Sequence, residues 1–474
     1  MIFNSIEFGL FLPIVFLLYW TVFRQNTKFR NLFLLAVSYF FYGVWDWRFL
    51  ILIVVSSLAD YIFGIQIHES NSPKKRKLFL TFSLIVNLGI LGFFKYFNFF
   101  TQSFVDVFKI FGQDINITTL QFILPVGISF YTFQTLSYTL DIYNKKLEPT
   151  KDIIAFFAFV SFFPQLVAGP IERAKDLLPQ FQLPKTPNYS KIKSGVLDIA
   201  TGLFKKIVIA DRLAVFVDEV YGNLDNAQGL PVLMGTLFFA FQLYLDFSAY
   251  SQIAVGAAKM LDFDLSTNFK RPYLSTSFAG FWSRWHITLS SWFRDYVYIP
   301  MGGSRNSSFI TKRNVMIVFL LSGLWHGASW NFVIWGGLNG LYQIFLDKWI
   351  VKHLKFKPLK QIFVVAGWTF SLVFFRATTF ADSMLAFKNL GFSFSENLYN
   401  FGLNAQEFKL TIALLIMVMI TEVISERGTN IKTWISSKAI PLRYSFYVAL
   451  VMFIVFLGSY GVGLNDNNFI YFQF

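Results

Sequence analysis

Residues 314–346 read NVMIVFLLSGLWHGASWNFVIWGGLNGLYQIFL, with His326 in the middle and no Lys, Arg, Asp or Glu anywhere in the run. The run is 33 residues long, whereas roughly 20 suffice to cross a hydrocarbon core. A lone ionisable side chain at such depth is costly and marks a functional site by default. Imidazole also suits proton transfer near neutral pH. The stretch therefore predicts a membrane chain with chemistry at His326. On the residues alone, a buried histidine joining helices through hydrogen bonds is the alternative.

Composition agrees with a membrane environment. Hydrophobic residues make up 55% and charged residues 14% of the 474 positions, against about 25% charge in a soluble chain; the mean hydropathy is +0.51. The net charge of +14 fits the Lys/Arg excess of cytoplasmic loops and is not taken to imply nucleic acid. The absence of cysteine excludes disulfides, thiolate metal sites and a cysteine-acyl intermediate. Four histidines (His68, His286, His326, His353) argue against a dense imidazole metal site. No signal peptide is expected, because the first basic residue is Arg24 and no small-residue cleavage site follows.

Four spans are predicted near 6–23, 31–45, 49–67 and 78–94. The basic loops FRQNTKFR and SPKKRK between them place the N-terminus outside and the first and third loops inside. Residues 97–117 read as an external interfacial segment. The run 115–140, with Pro125 and Gly127, predicts a broken or tilted span. Residues 153–171, with Pro164, Gly169 and Pro170, predict a re-entrant or broken element leading to a polar cytoplasmic segment. A span over 226–245 is followed by Asp246 and a second apolar run to Ala258. Helical spacing then puts His286, Ser290 and Arg294 on one face, with Arg284, Thr288, Ser291 and Asp295 beside them. Later spans are predicted at 361–375, 410–420 and 444–465, with the C-terminus outside. Together these give an all-α polytopic membrane protein of about eleven spanning or re-entrant elements around a central cavity, in one domain over 1–474.

FWSRWHITLSSWFRDYVYIPMGGSR (281–305) and SGLWHGASWNFVIWGGLNG (322–340) resemble the two signature blocks of the membrane-bound O-acyltransferases, in the bacterial branch that includes the alginate O-acetylation protein. LPVGISFYTFQTLSYTLDIY, FFPQLVAGPIERAKDLLPQ and QLYLDFSAYSQIAVGAAKMLDF also look like that branch. The resemblance implies an O-acetyltransferase acting towards a cell-envelope polysaccharide. It implies an acetyl thioester such as acetyl-CoA as donor, no bound cofactor or metal, and an acceptor polymer or a secreted SGNH-type partner that completes the transfer. His326 matches the near-invariant family histidine, His286 the second conserved polar position, and Arg376 a family arginine. Asn339 stands where many members have His.

Catalysis is therefore expected from His326, with His286 as a second polar wall. Arg284, Ser290, Arg294, Ser322 and Asn339 are the candidate substrate contacts. Arg284, Arg294 and Arg305 have an alternative role as phospholipid or cytoplasmic anchors, and His286 one as an interfacial residue beside Trp285. Asp60 and Asp246 are read as partners of a nearby Arg, and His68 and His353 as solvated. The competing function is a transporter or channel for an acyl or polyprenyl-linked intermediate, with His326 as proton relay.

Overall fold

The computed structural model describes residues 1–115, 117, 124–305, 307–393, 398–459 and 469. Among them the secondary structure is helical, apart from an isolated bridge between Gly229 and Leu390. In chain order the helices are α1 (Ile6–Leu18), α2 (Thr27–Asp46), α3 (Leu50–Glu69), α4 (Pro73–Leu91), α5 (Phe97–Ile110), α6 (Ile128–Tyr143), α7 (Ile153–Ser161), α8 (Phe163–Leu166), α9 (Ala174–Gln182), α10 (Tyr189–Leu203) and α11 (Asp211–Gly222). They continue as α12 (Leu230–Met260), α13 (Phe278–Trp282), α14 (Ile287–Phe293), α15 (Ser308–His326), α16 (Trp330–Leu341), α17 (Asp347–His353), α18 (Lys357–Arg376), α19 (Phe380–Asn389), α20 (Ala405–Glu426), α21 (Ile431–Ser436) and α22 (Ile440–Leu457). Starts are set by local chemistry. Ser5, Asn26, Asp152 and Ser307 accept first-turn amides, and α19 and α20 open with capping boxes from Thr379/Asp382 and Asn404/Glu407.

Seven helical stretches among the described residues are long and apolar enough to cross a bilayer: Ile6–Phe23, Thr27–Glu69, Pro73–Ile110, Leu230–Met260, Lys357–Arg376, Ala405–Glu426 and Ile440–Leu457. The protein is a multi-pass membrane protein, and its outward apolar side chains, such as Ile6, Ile85, Ile362 and Phe456, face where lipid would lie. The predicted break before α6 is present: Gly127 takes φ +73 and the helix starts at Ile128. The broken element at 153–171 is also present, as α7 and α8 separated at Phe162, with both helices largely buried.

Several expectations are corrected. The segment expected over 97–117 is not separate from the span before it: α4 continues through a π-helical stretch, Gly92–Tyr96, into α5, while residue 116 lies outside the described residues. Residues 226–258 are not two runs parted by Asp246, because α12 is one helix of 31 residues. Its mid-helix carboxylate is paired with a lysine rather than an arginine, Lys206 Nζ lying 3.0 Å from Asp246 and 2.8 Å from Asp211. Among the described residues Asp60 likewise has no arginine partner. It accepts from Ser83 Oγ at 2.5 Å and Asn87 Nδ2 at 2.9 Å where α3 and α4 meet. The long helix formed by α10, a π-helical stretch at Phe204–Ala210 and α11 was not anticipated. Its charges resemble a loop until their partners on α12 are seen.

The most consequential correction concerns the opening stretch. Residues 314–346 do not cross straight through. α15 ends at His326, and α16 starts at Trp330 and runs back antiparallel along it. A Cβ on Gly323 would lie 3.4 Å from the Cα of Gly336 and against the backbone of Phe332, and one on Gly340 would lie 3.1 Å from Met316 Sδ. Small residues permit this close packing without polar glue. His326 is therefore the last residue before a hairpin turn, not the midpoint of a span.

Candidate active site

His326 closes α15, with only 4% of its surface exposed. Its ring packs edge-on against Trp325 at 4.9 Å, Trp335 at 5.0 Å and Phe375 at 5.4 Å. A helix end leaves carbonyls without intrahelical partners, and here they are taken from outside. Lys95 Nζ donates to the carbonyls of Trp325 at 2.7 Å and His326 at 3.1 Å, and Tyr96 OH donates to that of Leu324 at 2.7 Å. A cation at a helix C-terminus also opposes the negative end of the dipole.

Two cavities lie along the C-terminal half of α15. The smaller, of about 50 Å3, is lined by His326, Trp325, Lys95, Ser129, Phe130 and the backbone near Gly127. At roughly 10–15 Å3 per water, it holds a few waters or a hydroxyl with its neighbours. The larger, of about 260 Å3, is lined by Ser322, Phe319, Ser290, Arg294, Trp282 and Leu289, among others. Ser322 precedes His326 by one turn, so one face of α15 runs from the larger cavity to the catalytic candidate.

His286 is buried at 1% exposure, but not where helical spacing put it. The helix breaks after Trp282, and His286 adopts the left-handed region (φ 42, ψ 55) immediately before α14. It therefore does not share a face with Ser290 and Arg294. Backbone bonds from Lys270 to Arg284 and from Ile287 to Asn268, both 2.9 Å, hold the break on either side. The Asn268 side chain adds an acceptor for Thr288 Oγ1 at 3.0 Å. An αL conformation is uncommon for a residue with a side chain and is retained only where surroundings over-determine it. The His286 ring lies 4.7 Å from Phe247 and 5.7 Å from Trp325. One indole thus touches both histidines.

The other candidates separate. Ser290, Arg294 and Ser322 meet in the larger cavity. Arg294 also pairs with Asp295 at 2.8 Å and is largely exposed. Arg284 points elsewhere, sharing Glu426 with Arg271 at 2.9 and 2.7 Å. Asn339 is fully buried and donates to Trp335 O at 2.8 Å and Ser371 Oγ at 3.2 Å, which ties α16 to α18. Arg376 bridges to Asp218 at 2.8 Å. Arg305, His68 and His353 are exposed. Sequence reasoning missed Lys95 and the part played by Trp325. Lys95 carried a usable signal, as the only charged residue between Lys77 and Asp106.

The sequence model of MBOAT, the membrane-bound O-acyltransferase family, matches residues 147–386, a range that holds His286, His326 and both cavity-lining signature blocks. A probable alginate O-acetylase of Pseudomonas putida is 40% identical over 388 residues, covering 80% of this chain and 77% of that protein. A peptidoglycan O-acetyltransferase of Helicobacter pylori is 37% identical over 359 residues, covering 70% and 67%. A teichoic acid D-alanyltransferase of Streptococcus thermophilus is 28% identical over 286 residues, covering 55% and 67%. On the family match and on such identity over most of its length, the chain is an O-acyltransferase belonging to the membrane-bound O-acyltransferase family.

Proposed function

We propose that this enzyme moves an acetyl group from a cytoplasmic acetyl thioester, such as acetyl-CoA, to hydroxyls of an extracytoplasmic cell-envelope polysaccharide in the bacterial inner membrane. The observation that carries this reading is the placement of His326 at a hairpin turn, in the wall of one cavity and one helical turn beyond Ser322 in the wall of a second. Two relatives, a probable alginate O-acetylase and a peptidoglycan O-acetyltransferase, supply the acyl group and the acceptor class. Basic residues Lys312 and Arg313 open α15 and belong on the cytoplasmic side by the positive-inside rule. The larger cavity then faces the donor, with Arg294 at its polar rim for donor phosphates and Ser290 and Ser322 along the thioester path. Lys95 follows the basic start of α4 by 22 residues, roughly 33 Å of helix, about one hydrocarbon thickness. The smaller cavity therefore belongs to the outer side, where a hydroxyl would enter.

In the transfer step the His326 imidazole takes the acceptor proton as the hydroxyl oxygen attacks the thioester carbonyl carbon. The new C–O bond forms, the C–S bond breaks, and the imidazolium returns the proton to the departing sulfur. The products are an ester and a free thiol, with no covalent enzyme intermediate. His286 contributes through Trp325, which it and His326 both touch. The acceptor hydroxyl belongs either to the polymer or to a secreted SGNH-type partner that passes the group on. The test is His326→Ala and His326→Gln in the host cell, read as base-labile ester acetate in the envelope polysaccharide. Both variants should accumulate normally and lose the acetate, because an amide takes no proton at this pH. Wild-type acetate from either variant at wild-type abundance would reject the assignment.

A further inference from the structure

We propose that Lys95 is a positioning residue of the acyl-transfer site, holding the turn after α15 so that His326 stays against the smaller cavity. The proposal rests on His326 being the base. Residues 78–105 hold no charge except Lys95, the same pattern that singled out His326. The backbone there is not plain α-helix. The π-helical stretch Gly92–Tyr96 inserts between α4 and α5, and such stretches re-aim side chains and concentrate at functional sites. Here they aim two adjacent side chains at three successive carbonyls, Tyr96 at Leu324 and Lys95 at Trp325 and His326. Lys95 Nζ also lies 3.4 Å from Ser129 Oγ, so its three hydrogens have three acceptors. Lys95, Ser129 and His326 all line the smaller cavity.

A capping role alone does not call for a lysine. A neutral donor satisfies a carbonyl equally, and a charge at membrane depth is more costly than a neutral group. What the ammonium adds is three bonds from one atom, two to the turn that carries the imidazole and one to Ser129, with a charge matched to the helix end. Lys95 acts through this turn and does not itself touch the reacting atoms.

The test uses the full-length protein in membranes of its own host, with radiolabelled acetyl-CoA as donor and the endogenous acceptor, read as base-labile ester. Lys95→Met should lower kcat by about 100-fold, the scale of a 1 Å misplacement, with the KM for acetyl-CoA within about twofold and normal abundance. Lys95→Arg, which keeps the charge, should recover at least about a tenth of the rate. If Lys95→Met fails to accumulate, Lys95→Gln keeps a donor without the charge and is compared per folded molecule. A full rate per folded molecule from the Met or the Gln variant, with His326→Ala inactive, overturns the proposal and leaves the base assignment standing. Activity in His326→Ala removes the base assignment itself.

Discussion

Gly336 and Gly337 are adjacent in α16, and alanine at each should have opposite effects. At Gly336 a Cβ would press on the Phe319 carbonyl and lie 3.3 Å from the Cα of Gly323. Neither is a flexible side chain, so α15 and α16 must separate by about 1 Å; such overpacking costs about 1–3 kcal/mol. At Gly337 the nearest atom is Leu320 Cδ2 at 3.6 Å, an ordinary contact. There the substitution gains up to about 1 kcal/mol, because alanine suits a helix interior better than glycine. On the role proposed for His326, the strain at Gly336 reaches the chemistry directly. It falls on α15 at Phe319 and Gly323, and His326 lies within one turn of Gly323 on that helix. A shift of about 1 Å at a reacting group costs roughly 100-fold in rate. Melting of the detergent-purified protein and acetyl transfer in host membranes measure the two effects separately. Gly336→Ala should melt earlier and transfer slowly, while Gly337→Ala should match or exceed the parent in both. Equal behaviour of the two variants would show that the hairpin is not packed through these glycines.

Further outcomes follow from the same packing. Lys206→Met leaves Asp211 and Asp246 buried without their cation and should destabilise the protein by about 3–5 kcal/mol, whereas adding Asp211→Asn and Asp246→Asn should restore most of it; thermal melting in detergent decides. Arg76 donates to the ends of α3 and α6, at Ile67 O, Ile142 O and Tyr143 O. Arg76→Ala should cost about 1.5–3 kcal/mol while leaving the transfer rate per folded molecule unchanged, and a fall in that rate would show that the cap reaches the site. Reporter fusions within 24–30 and 74–77, at the starts of α2 and α4, should be active in the cytoplasm and a fusion after Phe474 outside it; a cytoplasmic C-terminus would mean the predicted number of crossings is off by one.

The sequence was most legible where a signal is local. Apolar runs marked the helices from α1 to α4 and those at α18, α20 and α22, because burial in lipid needs only length and hydropathy; the span expected over 444–465 runs past the end of α22 at Leu457, and 460–465 lie outside the described residues. Pro125, Gly127 and Pro164 marked real breaks, since their backbone effects do not depend on distant partners. Legibility failed where a distant partner decides the outcome. Lys206 and Asp211 resemble solvent charges until α12 brings Asp246 to them. The i, i+4, i+8 pattern of His286, Ser290 and Arg294 assumes an unbroken helix, and Asn268, eighteen residues upstream of His286, helps to hold the break.

The uncharged run around His326 shows why the location of the candidate base was legible while its setting was not. Lack of charge reports that a segment avoids water, which a single long crossing and a folded-back pair of helices do equally well. The glycines distinguish the two. Gly323, Gly336 and Gly340 occupy the contact line between α15 and α16, a pattern with meaning only once the two halves are placed side by side. The turn has a chemical consequence that a midpoint of a straight helix would lack. Mid-helix, the backbone around His326 would be sealed by its own hydrogen bonds, and only the imidazole could face a substrate. At a helix end the carbonyls of Leu324, Trp325 and His326 are open to partners from elsewhere in the fold, and Lys95 and Tyr96 take them. On the role proposed for His326, the base is positioned by the N-terminal helices as well as by its own hairpin. The residues that tune it are therefore to be sought in α4 to α6, outside the 147–386 stretch that carries the family match.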